Sequence, residues 1–302
     1  MSRPMIKHLT KTLHRTAYTA IDPTSPSNSA TGKTIVISSG ATGIGFAIAH
    51  AFVAAGASVV VLLARRAEAL DEAAGKLRSF AAEHNTTTAI WTYTLEIRDQ
   101  AATEAVLASE DEKDAADVDV LVTSAAYFAP HALSLDFSPD RLRESFDTNV
   151  LGNMNLVRAF LRPEMPHIPF QPVVVLDVSS ITTYTVVPGV SAYGSSKLAF
   201  TRLMAHLQSE VSSSFPKIRV HSFHPGAIYT PAMQKTGFAS DFIKWDDESL
   251  PAGFAVWLTS PAAAFLRGRF VFAAWDVDEM VAMKERFENE PGLCRIGLDV
   301  GL

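Results

Sequence analysis

Residues 33–66 read KTIVISSGATGIGFAIAHAFVAAGASVVVLLARR, and the fold turns on how that stretch divides. Lys33–Ser38 is a short β-branched run that predicts a strand. A small, turn-forming segment follows, and then Gly43–Ala55 has the length and alanine content of a helix. Ser58–Leu63 is β-branched again and predicts a second strand. Phe46–Ala64 is apolar over nearly the length that crosses a bilayer. His50, Gly56 and Ser58 interrupt it, however, and its two halves differ in character. It therefore reads as a helix followed by a buried parallel strand, with no membrane partner.

Outward from this unit the alternation continues. A helix is expected from about Ala67 to Glu83. Thr87–Leu95 and Val118–Thr123 are expected strands with a polar helix between them. Arg141–Leu161 reads as one long helix, Pro172–Val178 as a strand and Ser191–Ser212 as a helix. Ile218–Phe223 and a short Phe270–Ala273 complete a set of about seven strands. Strands alternating with helices imply a parallel α/β sheet, doubly wound and covered on both faces. Ligands of such sheets lie at the carboxyl ends of the strands, where the strand order reverses.

The chain has 302 residues, 48% of them hydrophobic, enough for a large core. A net charge of −6 and a pI near 5.8 argue against nucleic acid or an anionic membrane as partner. The single cysteine, Cys294, allows no intrachain disulfide and suits a reducing, cytoplasmic setting. Residues 1–31 form an N-terminal arm and connector ahead of the domain at 32–302. Arg3, Lys7, Lys11 and Arg15 precede the first acid, Asp22. That pattern has a faint presequence character, but a solvated arm is the simpler reading. Residues 22–32, DPTSPSNSATG, are the turn-rich connector.

Chemistry gathers where the strands end. After the first strand, Ser39, Gly43, Ile44 and Gly45 form a turn into a helix whose N–H groups can face a pyrophosphate. The second strand ends Leu63-Ala64-Arg65-Arg66 without a carboxylate. An acid there would hold a ribose 2′-hydroxyl, whereas Arg65 suits a 2′-phosphate, so NADP(H) is favoured over NAD(H). Tyr193 and Lys197 are four apart on one helix face. A free tyrosine titrates near ~10, and a nearby ammonium lowers that value. Ser180, thirteen residues before Tyr193, ends the preceding strand and can hold a carbonyl oxygen against the phenol.

Taken together, these segments resemble the short-chain dehydrogenase/reductase family, with a Rossmann-type sheet. The turn is similar to the family's Thr-Gly-x-x-x-Gly-Ile-Gly, with Ser38 and Ser39 at the Thr-Gly positions. Ser180, Tyr193, Lys197 and Asn149 match the family's Ser, Tyr, Lys and Asn residue by residue. The resemblance implies that Lys197 also holds the nicotinamide ribose. It implies that Asn149 stabilises a helix kink and anchors a water of the proton relay. Glu96, after the third strand, stands where the family contacts adenine. Ile228 and Thr230, after His224-Pro225-Gly226, stand on the nicotinamide side. Ser124 replaces a usual Asn after the fourth strand.

The segment at about 227–250 corresponds to the family's substrate lid. Its Tyr229, Met233, Phe238, Phe242 and Trp245 suggest a hydrophobic or aromatic substrate, and Tyr127, Phe128, His131, Thr182 and Tyr184 are further pocket candidates. The tail Phe265–Phe270 and Ala274–Asp278, with His14–Pro26, is similar to fungal reductases, many of which act in secondary metabolism. A homodimer or homotetramer is usual in the family. His221 and His224 lack a Cys or acid to complete a metal site, so no metal is expected. The expected function is NADP(H)-dependent reduction of a carbonyl, or oxidation of a secondary alcohol, on a mid-sized metabolite. Ser39 and Ser124 leave two alternatives: a non-redox isomerase, dehydratase or cyclase, or a cofactor-binding regulator.

Overall fold

The computed structural model of the chain describes residues 8–108, 118–161, 172–236, 239–241 and 243–297. The β-branched runs form strands β1 (Thr34–Ser38), β2 (Val59–Ala64), β3 (Ala89–Thr94), β4 (Val118–Thr123), β5 (Val173–Val178), β6 (Ile218–His224) and β7 (Phe270–Phe272). They pair in parallel in the order β3-β2-β1-β4-β5-β6-β7. The order reverses at β1, which has β2 on one side and β4 on the other, and the crevice beyond β1 and β4 opens there.

Side chains of β1 alternate between two cores, as the period of two requires. Ile35 and Ile37 join Val60 and Leu62 beneath helix α1 (Gly43–Ala54). Val36 joins Val61, Leu63, Phe160 and Phe200 on the opposite face. Helix α1 is apolar all round because it lies between the sheet and another helix. Its fully buried Ile48 and Phe52 each contribute about 1.5–3 kcal/mol of transfer free energy. Gly56 ends the helix at φ 76°, while Gly56 N–H reaches the Val53 carbonyl and Ala57 N–H the Phe52 carbonyl. Thus the long apolar stretch at 46–64 divides into helix, turn and strand. Among the described residues, no helix is long and apolar enough to cross a membrane.

After α1 come α2 (Ala67–Glu83), α3 (Gln100–Ala108), α4 (Pro139–Phe146) and α5 (Asn153–Phe160). The helix expected over 141–161 is interrupted: a π-helical segment, Asp147–Gly152, separates α4 from α5. Helix α6 (Ser191–Ser214) packs on β6, and α7 (Pro231–Gln234) is one short turn. Helix α8 (Ser249–Leu258) covers α1, and α9 (Val277–Ala282) follows β7.

The expected solvated arm is a correction. Residues 8–31 are packed onto the domain, with Ile21 and Ala30 fully buried in the core beside α1. Leu13 forms an antiparallel bridge with Trp275, and Tyr18 stacks on His14 at 3.5 Å. His14 Nε2 lies 2.8 Å from Asp276 Oδ2. The N–H groups of Lys11 and Thr12 donate to the Glu279 carboxylate. The acids that hold this basic segment lie more than two hundred residues downstream, so local composition gave no sign of them.

Candidate active site

The turn after β1 is built around two serines. Ser38 Oγ accepts from the N–H groups of Ser124 and Ala125, both at 3.0 Å, and faces the Val122 carbonyl at 3.4 Å. A side chain at the end of β1 therefore holds the end of β4 across the crevice, through the backbone at 124. Ser39 has φ 55°, the left-handed region that favours glycine. That conformation costs an L-residue roughly 1–2 kcal/mol. Gly45 touches the turn so closely that a Cβ there would lie 2.4 Å from the Ser39 carbonyl oxygen. Thr42 caps α1 without a side-chain hydrogen bond, so its own hydroxyl does not take up the first-turn N–H groups. Ser39, Gly43, Ile44 and Gly45 all line the same cleft. A glycine-lined helix N-terminus with free donors fits the pyrophosphate of a dinucleotide.

Arg65 and Glu96 stand apart from that cleft, at the tips of β2 and β3. Arg65 is 73% exposed, with Nη1 3.7 Å from Glu96 Oε2. Glu96 is bound more tightly by Arg98, whose guanidinium lies at 2.8 Å. The Arg98 hydrogen bond, with Arg65 adding charge, holds the Glu96 carboxyl below the usual range against partial burial.

Strand β5 delivers Ser180, and the first two turns of α6 deliver Tyr193 and Lys197. Ser180 Oγ accepts from the Thr182 N–H at 3.3 Å and the Thr182 hydroxyl at 2.9 Å. The Ser180 hydroxyl is also close enough to the Tyr193 phenol to favour its ionised form. The Tyr193 ring lies 4.5 Å from that of Phe128. Ser180, Tyr193 and Lys197 all line the cleft that begins at the glycine turn.

The electrostatics correct one expectation. Lys197 does not lower Tyr193 here. Burial pushes the phenol up to about 12, the nearby Ser180 hydroxyl opposes this, and the Asp177 charge adds to it. The Lys197 ammonium is 2% exposed and donates to the Val178 carbonyl at 2.6 Å, with Asp177 Oδ1 at 4.0 Å. Asp177 is fully buried in β5. Its Oδ2 accepts from the Thr201 hydroxyl at 2.8 Å, and its Oδ1 is buried without a hydrogen-bond partner. Burial pushes Lys197 down and Asp177 up, and each partner opposes the other's shift. Sequence reasoning passed over Asp177. Its signal was an acid inside an otherwise apolar strand, Val173–Val178.

Asn149 lies in the π segment and is fully buried. Its Oδ1 accepts from the Tyr127 N–H at 2.6 Å, and its Nδ2 donates to the Tyr127 carbonyl and to Ser196 Oγ, both at 2.9 Å. Ser196 is next to Lys197, so Asn149 ties the loop after β4 to α6 beside Lys197. Its carbonyl accepts from Asn153 Nδ2 at 3.2 Å.

After β6, the Pro-Gly segment meets the glycine turn. A Cβ on Gly43 would lie 3.3 Å from Thr230 Cγ2, so these two stretches, far apart in sequence, touch. Thr230 Oγ1 accepts from the Met233 N–H at 3.2 Å as the cap of α7, and Thr230 N–H donates to the Ile228 carbonyl at 2.9 Å. Ile228 and Thr230 both line the cleft. Its volume is about 710 Å³. Phe128, Thr182, Met233 and Trp245 also contribute to its wall, whereas Tyr127, His131, Tyr184 and Tyr229 do not. Tyr229 instead packs on Trp245, ring to ring at 5.0 Å. The lid positions Phe238 and Phe242 lie outside the described residues. Burial holds His221 at about 3 and His224 at about 4, both neutral. Among the described residues, no three His, Cys, Asp or Glu side chains gather to hold a metal. The arm supplies a wall that sequence reasoning missed, through Leu13, His14 and Arg15.

Residues 33–239 match the profile of the short chain dehydrogenase family. The chain is 36% identical to the short chain dehydrogenase/reductase AacuD of Aspergillus aculeatus, over 96% of each protein. It is also 36% identical to a short chain dehydrogenase/reductase of Claviceps purpurea, covering 96% of this chain and 94% of that one. Among solved structures, a short-chain type dehydrogenase/reductase from Mycobacterium ulcerans has a TM-score of 0.72 at 23% identity, covering 81% of this chain and 89% of that one. A 3-oxoacyl-[acyl-carrier protein] reductase from Brucella melitensis has a TM-score of 0.70 at 23% identity, covering 83% and 96%. At that identity, the two structures establish the fold as shared.

Proposed function

The chain belongs to the short-chain dehydrogenase/reductase family, and from that premise we propose that it is an NADP(H)-dependent reductase of a carbonyl on a mid-sized apolar or aromatic metabolite. The observation that carries this reading is one continuous cleft. It has a glycine-lined helix N-terminus and, in the same wall, a phenol and a serine hydroxyl. Ser39, Gly43, Ile44 and Gly45 would hold the pyrophosphate, Tyr193, Lys197, Ile228 and Thr230 the nicotinamide end, and Arg65 and Glu96 the adenosine end; Asn149 does not line the cleft. The bound nicotinamide supplies a hydride to the carbonyl carbon.

The residues do the rest. Ser180 and Tyr193 hold the substrate oxygen between their hydroxyls, and Tyr193 gives that oxygen a proton as negative charge develops on it. A phenol held near 12 is fully protonated at neutral pH, which is the state a donor requires. The phenolate left behind regains its proton from solvent, since the Lys197 ammonium is engaged with the Val178 carbonyl. Asn149 acts as a positioning residue, since its side-chain donors and acceptor are already engaged with Tyr127 and Ser196. The apolar side chains of the cleft support an apolar or aromatic substrate. The fungal relatives support a place in secondary metabolism. Exposed Leu151, Leu198 and Leu203 near and on the long helices support a homo-oligomer. The lone, mostly buried Cys294 supports a reducing cytoplasm.

Arg65 carries the preference for NADP(H). Its exposed, 3.7 Å pairing with Glu96 contributes at most about 1 kcal/mol and yields easily to a phosphate. Titration of protein fluorescence with NADPH and NADH tests the reading. NADPH is expected to bind at least about tenfold more tightly, with that margin removed by Arg65→Ala. Absence of binding by either cofactor refutes it. Binding without loss of NADPH absorbance across a carbonyl panel would point instead to non-redox use of the same acid.

A further inference from the structure

The family match covers residues 33–239, yet part of the cleft wall comes from outside that range. Leu13, His14 and Arg15 from the arm, and Ile243, Trp245 and Asp246 from beyond the match, line it beside Tyr193. Arg15 joins these two sets. Its Nε lies 2.9 Å from Asp246 Oδ1. Its guanidinium also donates to the Lys244 carbonyl, and its own carbonyl accepts from the Asp247 N–H at 2.8 Å.

Asp246 carries this connection into the site. Its Oδ2 accepts from the Ala227 N–H at 2.8 Å, and its N–H donates to the Ala227 carbonyl at 2.8 Å. Residue 226 must be glycine for this approach: it has φ 99°, and a Cβ would lie 2.8 Å from Asp246 Oδ2. A single carboxylate thus joins the arm to the exit of β6, ahead of Ile228 and Thr230. The arm is a fixed support on its other side. His14 N–H donates to the Ala274 carbonyl at 2.8 Å, and the His14 ring is bonded to Asp276.

We propose that Arg15 is a specificity-determining positioning residue, which fastens Lys244–Asp247 to the fixed arm and so sets the width of the substrate end of the cleft. The inference rests on the oxidoreductase reading only in naming that end as the substrate's. Arginine suits the position because a planar fork serves a carboxylate and a carbonyl together, and a lysine ammonium serves them less well.

Limited trypsin digestion of the full-length protein, with cleavage sites located by mass spectrometry, tests the fastening directly. The carbonyl of the Lys244–Trp245 bond is the one Arg15 holds. Arg15→Ala is expected to speed cleavage at that bond about tenfold, since proteolysis tracks the open population. Arg15→Lys should fall between, Asp246→Asn should move in the same direction, and cleavage after Lys76 in α2 should stay at the wild-type rate. In parallel, with 9,10-phenanthrenequinone as carbonyl probe, Arg15→Ala should raise the quinone KM at least about fivefold and leave the NADPH Kd within about twofold. Equal cleavage at Lys244 in wild type and Arg15→Ala overturns the proposal. So does an NADPH Kd that moves as far as the quinone KM. If no form turns over the quinone, it is the reductase reading that fails, and the cleavage ratio still decides the role of Arg15.

Discussion

Replacing Asp177 with asparagine probes the least expected feature of the site. The amide is nearly isosteric and can still accept from the Thr201 hydroxyl, so shape is kept while one charge is removed. Lys197 Nζ and Asp177 Oδ1 are 4.0 Å apart, and both side chains are buried. At that distance, an effective dielectric of about 20 gives roughly 4 kcal/mol of attraction. Removing one member of a buried pair costs about 3–5 kcal/mol, because the other ion stays desolvated. The 2.6 Å bond from Lys197 to the Val178 carbonyl survives, so the lower end, about 3 kcal/mol, is expected. For a chain of 302 residues, that lowers Tm by roughly 5 °C. Urea unfolding followed by tryptophan fluorescence measures it, together with Lys197→Met and the double variant. The double variant should be more stable than the sum of the single losses predicts, by about 2 kcal/mol. An Asp177→Asn protein within about 0.5 kcal/mol of wild type, or strictly additive losses, would refute coupling between the two charges.

Tyr193→Phe should lower turnover about 10²–10⁴-fold while NADPH affinity is kept, as read by steady-state kinetics and fluorescence titration. Because the wild-type phenol sits near 12, its reductive kcat should stay level as pH rises from about 6 to 9, and an inflection near 7 lost in Tyr193→Phe would contradict the assignment. Ser39→Gly relieves a left-handed serine, and the greater freedom of glycine in the unfolded chain offsets part of the gain; a net stabilisation of about 0.5–1 kcal/mol is expected by urea denaturation. Asp276 caps α9 through the Glu279 N–H and holds His14. Burial pushes its carboxyl up, but the His14 and Glu279 hydrogen bonds outweigh that and keep it below the usual range. A lowered folded-state value means stability present above the unfolded pKa and lost as pH falls through the folded one. Asp276→Asn should therefore cost about 1–2 kcal/mol at pH 7, and unfolding curves should converge with wild type below about pH 4.

What the sequence alone determined is local in origin. Periodicity and β-branching located the strands, because in a parallel sheet each strand is buried on both faces and must be apolar throughout. Gly43 and Gly45 marked the turn because Gly43 takes a positive φ and a Cβ on Gly45 would meet the Ser39 carbonyl. Tyr193 and Lys197 could be placed on one helix face by spacing alone. Only the tertiary structure decided what the second of those side chains meets. Lys197 bonds the Val178 carbonyl beside the buried carboxylate of Asp177, on a strand ahead of α6, and Tyr193 is raised instead of lowered. The packed arm has the same cause. Lys11, Arg15 and His14 look solvated in a basic segment until folding brings Glu279, Asp246 and Asp276 against them. Burial and charge pairing depend on distance in space, and side chains more than two hundred residues apart in the chain acquire that distance only when the sheet closes around them.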